Sequence, residues 1–451
     1  MAKTIEIVKV STTGDTIRYE LWDNTGLGLL KKQKVEAWVK FHNVECFGFS
    51  AKGLPESILV LPITLYLLPV TWFYGVELVV PSIDKRLYER LPQIYNSYSK
   101  IYGPFKEEWH GKVTAKTIVE NKIPESRFDN VIFFSGGIDA VHAGINNLGK
   151  SNVLVTVPSI EGPESSSKEI SGQHFLVAKS RLIREFSAVS GSDWLMVTNN
   201  FRMDIFDDSK IQHDLRHIFA LNSAAFLADG WFGIKYLGNL LSSAPFAYAM
   251  GIPTLIMGSA FEPIENQPLV NQDGANPELS DVIKFAGISF AGQDGQYMRR
   301  SQKMKNIAAW CAAHGKKIEI WACCKDNAEQ CCMCHKCMRT LLNILCVKEK
   351  PVDWGFVNFD EKKFSHLVRF YRYYENNPCW IWDIIDSIDD DTVYPYCDKL
   401  LHWLKKTGYK RYFKRIRKMK VIRKWLRIVK VHKYPHYVKV MFSKLAGKKL
   451  E

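Results

Sequence analysis

At 451 residues, 47% of them hydrophobic, the chain is long enough for two or three domains and a sizeable core. Its formal charge of +14 is uneven: residues 399–451 hold 19 Lys and Arg against the single acid Glu451, so the remainder is net acidic and basicity belongs to a tail. Eleven cysteines, four of them at metal-binding spacing, suit a reducing cytoplasm and argue against a disulfide framework.

Met1-Ala-Lys-Thr-Ile-Glu leads into an alternating strand pattern with no apolar leader, so no secretory signal is expected. Ile5–Val10 and Thr16–Trp22 read as a hairpin turning at Thr13-Gly14-Asp15. Residues 58–74 carry no charge, but Pro62 and Pro69 interrupt a run already short for a bilayer, and they are expected to end short buried elements. A strand at residues 77–81 and a helix over Leu87–Tyr102, stopped by Gly103-Pro104, complete a mixed α+β domain assigned to residues 1–125. Substrate recognition is the role expected of such an added module.

Residues 131–140, Val-Ile-Phe-Phe-Ser-Gly-Gly-Ile-Asp-Ala, break an apolar run at Ser135-Gly136-Gly137 and open into a helix carrying Asp139. Adjacent glycines let backbone N–H groups approach phosphate oxygens, and the helix N-terminus adds a positive dipole. Ser135, Gly136, Gly137, Ile138 and Asp139 are therefore candidate pyrophosphate-binding residues, with Asp139 expected to hold magnesium. The competing reading is a tight strand-to-helix turn in an ordinary α/β core. The segment resembles the PP-loop signature, Ser-Gly-Gly-x-Asp-Ser, of the ATP pyrophosphatase family in the adenine nucleotide alpha-hydrolase (HUP) superfamily, with Ala140 where the signature has a hydroxyl. The resemblance implies cleavage of ATP between its α and β phosphates, leaving an adenylated substrate and pyrophosphate.

Residues 126–350 alternate strand and helix as a doubly wound parallel sheet requires: strands at 152–157, 194–198 and 253–258, and helices at 175–189, around 217–227 and at 234–250. Ligands bind beyond the carboxyl ends of such strands, so Pro158-Ser159, Asn199-Asn200 and Gly258-Ser259 are expected to rim the crevice of Ser135, or else to be simple turn formers. Arg202, Arg299 and Arg300 are candidates to meet phosphate or a substrate carboxylate, with a solvated surface role as the alternative.

Cys323, Cys331, Cys334 and Cys337, separated by seven, two and two residues, can converge tetrahedrally on one zinc ion; unligated buried thiols or a redox pair are the alternative. Cys324 and Cys332 leave the ligand register open by one residue, and His335 is expected to point outward. The combined loop and cysteine spacing, over roughly residues 128–347, resembles the 7-cyano-7-deazaguanine synthase family and, through Lys336-Cys-Met-Arg-Thr340, a set of poorly characterised relatives. In that family the four cysteines hold a structural zinc.

Residues 351–404 read as an aromatic helical extension, and 405–451 as a basic amphipathic tail with Tyr409, Tyr412, Phe413, Ile416, Met419, Ile422, Leu426 and Val429 on one stripe. The tail can lie on an anionic membrane, pack on the protein, or, less favoured, contact nucleic acid. The expectation is thus a cytoplasmic enzyme, peripheral at the inner membrane face if the tail anchors it, with ATP, Mg2+ and Zn2+ as cofactors. It would adenylate a small-molecule carboxylate or amide oxygen for attack by a nitrogen nucleophile. Sulfur transfer through Cys324 or Cys332, and a non-catalytic membrane-associated nucleotide-binding protein, are the alternatives.

Overall fold

The computed structural model describes residues 3–102, 108–158, 171–217, 241–259, 277–295, 297–323, 329–370 and 379–428. The hairpin forms as its alternation requires, β1 (Thr4–Thr13) against β2 (Thr16–Asp23), followed by β3 (Lys34–His42). Helix α1 (Glu56–Leu59) and α2 (Leu61–Tyr74) come next. Pro62 sits in the first turn of α2, where no intrahelical donor is required, but Pro69 lies inside the helix, contrary to the expectation that it would end an element. Tertiary burial accounts for this, since every residue of α2 except Tyr74 is buried. No helix among the described residues is long and apolar enough to cross a membrane.

Next come β4 (Glu77–Asp84), α3 (Lys85–Tyr102), β5 (Val113–Val119), β6 (Asn130–Phe133), α4 (Ile138–Asn146), β7 (Asn152–Thr156), α5 (Ser171–Ser190) and β8 (Asp193–Asn199). They are followed by β9 (Thr254–Gly258), β10 (Lys284–Phe285), β11 (Ile288–Asp294), α6 (Arg300–His314) and α7 (His335–Cys346). Of the helices expected at 217–227 and 234–250, residues 218–240 lie outside the described residues, and Ala244–Ala249 is helical. Among the described residues eleven strands form one sheet, ordered β10-β11-β9-β6-β7-β8-β3-β2-β1-β4-β5. Within it β8, β7, β6, β9 and β11 are parallel, and the order reverses between β6 and β9. Open α/β sheets bind ligands at such a reversal, beyond the strand carboxyl ends.

The apolar runs of the parallel strands are explained by burial on both faces. Along β6, Val131 and Phe133 enter one apolar cluster while Ile132 and Phe134 enter the other; Val153 and Val155 oppose Leu154 in β7, and Leu255 and Met257 oppose Ile256 in β9. The first cluster is shared with β1–β4 and α1–α3, so residues 3–119 cover one face of the parallel strands and continue their sheet through β3–β8 pairing. The second holds α4–α7 and the C-terminal helices α8 (Glu361–Phe370), α9 (Cys379–Ser387) and α10 (Asp398–Ile428). Gly408 (φ 68°) kinks α10. In the tail stripe Tyr412 is buried and donates its hydroxyl to the Val368 carbonyl at 3.0 Å, and Tyr409, Phe413 and Ile416 pack on the same cluster. The side chains of Met419, Ile422, Leu426 and Val429 lie outside the described residues.

Candidate functional site

Beyond β6 the ladder runs one residue further, Phe134 N–H donating to the Val155 carbonyl at 2.8 Å, and then the backbone turns away. Gly136 takes φ +78°, a region costly for any residue with a Cβ, and an added Cβ would crowd Leu182 and Trp321 at 3.3 Å. Gly137 is the N-cap of α4 with extended backbone, and its N–H donates to Ser135 Oγ at 3.4 Å. Helix α4 therefore starts with no capping side chain, its first-turn donors directed toward the strand reversal. Gly258, ending β9, lies so close that a Cβ there would clash with the Asp139 carbonyl group and sit 2.9 Å from the Ala140 nitrogen. Ser259 is buried, and its N–H donates to the Asp294 carbonyl at 3.0 Å. The sheet thus brings Ser135–Asp139 and Gly258–Ser259 together.

Among the described residues, three cations lie around this loop. Lys179, from α5, donates to the Ser135 carbonyl and lies 5.9 Å from the Trp321 ring. Arg300 pairs with the Asp139 carboxylate, and Lys303, one turn along α6 and fully buried, reaches its Oδ1 at 3.2 Å while donating to the Ser259 carbonyl. Burial alone would raise Asp139, but the Arg300 and Lys303 charges outweigh it and hold the carboxyl at about 2. Magnesium was the expected partner of Asp139, yet Arg300 and Lys303 occupy its carboxylate. With Arg300 and Lys303 both on its oxygens, the Asp139 carboxylate does not fit a magnesium site. Behind it His142, buried one turn along α4, contacts Asp294 Oδ1 at 3.2 Å and Asn306 Nδ2 at 3.3 Å.

The side chains of Asn199 and Asn200 bond neighbouring segments. Asn200 accepts from Trp38 N–H at 2.8 Å and donates to the Glu36 carbonyl, tying β3 to β8, while Asn199 donates to Ser242 Oγ at 3.1 Å. Arg299 stacks on Trp382 at 4.3 Å and pairs with Asp386. Ser159, Cys324 and the side chain of Arg202 lie outside the described residues.

The four cysteines converge. Sulfurs of Cys323, Cys331, Cys334 and Cys337 all lie within 4.8 Å of one another, with Cys331 and Cys337 at 3.9 Å, close to the ~3.8 Å edge of a tetrahedron built on ~2.3 Å zinc–sulfur bonds. Backbone N–H groups of Cys334 and Cys337 donate to the Cys331 and Cys334 sulfurs at 3.3 and 3.5 Å, orienting them for a cation. Hydrogen bonding from Cys323 holds the Cys331 thiol down at about 6, while bonding to Cys331 raises Cys323 and bonding to Cys323 raises Cys337. This set could hold a metal such as zinc. His335 is exposed, outside the cluster, and Cys332 is buried with its thiol pushed up to about 11 by burial.

Lys179, Lys303 and Trp321 carry no motif of their own; the one available signal is the spacing of Arg300 and Lys303, which places both on one helix face. Compared with known proteins, the chain matches no family model, no curated protein and no solved structure.

Proposed function

We propose that the chain is an ATP-dependent adenylating ligase or amidase acting on a small molecule. A carboxylate or amide oxygen attacks the α-phosphorus of ATP, pyrophosphate leaves, and a nitrogen nucleophile then displaces AMP from the activated acyl or imidyl group. The observation that carries this reading is the uncapped glycine loop at the strand-order reversal, faced by Lys179, Arg300 and Lys303. Fixed donors and cations aimed at a leaving pyrophosphate stabilise charge as it develops. Asp139 holds Arg300 and Lys303 in place, and the PP-loop resemblance points to the same bond of ATP. Zinc in the four-cysteine knuckle supplies a structural crosslink, in keeping with four thiolate ligands and no open position.

The assay is AMP and pyrophosphate release from ATP with a panel of small carboxylic acids and ammonium. Release that depends on the acid and disappears in Asp139→Ala and Lys303→Met supports the ligase. ATP bound without α–β cleavage overturns it in favour of a nucleotide-binding protein that does not react, a reading favoured by Ala140 and by the closed ion pairs of Asp139. Sulfur transfer is disfavoured at Cys332 by its burial and raised thiol. The exposed Lys406, Lys410, Arg411, Lys414 and Arg415 of α10 support an anionic membrane surface as a partner of the tail. Cosedimentation with anionic liposomes that survives deletion of residues 405–451 would overturn that assignment.

A further inference from the structure

The metal knuckle and the glycine loop touch on both sides. On the strand side, Trp321 precedes the ligand Cys323 by two residues, and its N–H donates to the Gly136 carbonyl at 2.6 Å. Its indole Nε1–H donates to the Cys323 carbonyl at 3.2 Å, fixing the ring under Lys179, which in turn holds the Ser135 carbonyl. On the helix side, the ligand Cys337 lies in the first turn of α7, and Arg339 follows two residues later. Arg339 and Arg300 each lie 4.0 Å from the centroid of the Trp380 ring, and Arg300 holds the Asp139 carboxylate. Trp380 thus contacts both guanidinium groups and links the two arginines. One arm thus ends on Gly136 and the other on Asp139, the two ends of the turn that carries the candidate phosphate donors.

We infer that the four-cysteine knuckle is a positioning element for the glycine loop, with Trp321 and the Arg300–Trp380–Arg339 stack as its two arms, so that metal occupancy sets the loop's geometry. A metal that ties Cys323 to Cys331, Cys334 and Cys337 holds both arms at fixed separation, and an emptied or oxidised knuckle releases both. By linkage, an anion bound at the loop then tightens the metal site, and the metal tightens the anion site. The anion half rests on the functional reading above; the loop's dependence on metal does not.

The test is hydrogen exchange on the full chain, zinc-loaded and after chelation, with zinc content measured on each sample. Removing zinc should speed exchange of residues 134–142 by at least about tenfold while leaving the 4–23 hairpin unchanged. Trp380→Leu, still zinc-loaded, should speed exchange at 138–142 and spare residues 318–323. Unchanged loop exchange on chelation overturns the inference, and so does uniform deprotection of loop and hairpin, because the metal would then support the whole fold and not the loop. Purified chain that binds no zinc overturns the inference together with its premise. Pyrophosphate titrated into both samples separates the two readings: no heat in either, with loop exchange still metal-dependent, contradicts the anion site alone.

Discussion

Asp139 is a carboxylate flanked by Arg300 and Lys303, both nearly or fully buried, so removing its charge strands two cations that repel each other. Asp139→Asn should destabilise the chain at neutral pH by about 3 kcal/mol. Because its folded value of about 2 lies below the ordinary 3.8, Asp139 contributes stability that is complete above the ordinary value and lost as pH falls toward 2. That contribution is about 2 kcal/mol, so the gap between wild type and variant in urea unfolding should narrow by that amount from pH 5 to pH 2. A gap independent of pH contradicts the ion pairs. Gly258 makes a separate claim, since a Cβ there would enter the backbone of the first turn of α4. Gly258→Ala should cost about 3 kcal/mol and abolish nucleotide binding. Gly149→Ala, with open space around it but φ +83°, should cost about 1 kcal/mol and leave binding intact; equal effects at the two sites would refute the close approach. At this scale the strand-to-helix turn at Ser135–Asp139 and the convergence of the four cysteines were legible because each group lies within a short stretch of the chain. Arg300 was legible only as a candidate phosphate contact; its pairing with Asp139, and the role of Lys303, were not, because 161 and 164 positions lie between them and Asp139 and only the fold brings them together.

Helices and strands were readable where one period dominated. The β1–β2 hairpin alternates cleanly, and β6, β7 and β9 are apolar throughout because both of their faces are covered. Helix α6 shows no such stripe, since it buries Arg300, Ser301 and Lys303 as well as Met304 and Ile307, and polar burial hides a helix from a hydrophobic pattern. Pro69 misleads in the opposite sense, as packing around α2 overrides its local cost. In α10 an amphipathic stripe admits either lipid or protein as its cover, and the fold settles the choice for Tyr409, Tyr412, Phe413 and Ile416. Tyr412→Ala should therefore lower stability by about 3 kcal/mol in thermal or urea unfolding. A change near zero would mean that this stripe is free for another surface.

The eleven described strands, joined in one sheet, make residues 3–119 and the parallel strands interdependent. Val131, Phe133, Val153, Val155, Leu255 and Met257 share an apolar cluster with α1–α3, so the parallel strands cannot bury both faces without residues 3–119. A fragment of residues 126–350, the span that sequence patterning assigns to nucleotide binding, should be insoluble or lack cooperative unfolding by circular dichroism. Cooperative unfolding of the isolated fragment would show that the N-terminal half is dispensable. This dependence could not be read from the chain, because it arises from β3 pairing with β8, more than 150 residues later, and neither strand's local pattern names the other. The same sheet places the glycine loop, three cations and the thiol knuckle around the strand-order reversal. On the proposed function, this place grips the phosphates of a nucleotide through side-chain cations, with no metal bound to Asp139. Calorimetry of ATP titrated into zinc-loaded full-length protein tests it most directly. Saturable single-site binding that persists in magnesium-free buffer and vanishes in Gly258→Ala is the predicted result; absence of heat with or without magnesium would contradict it.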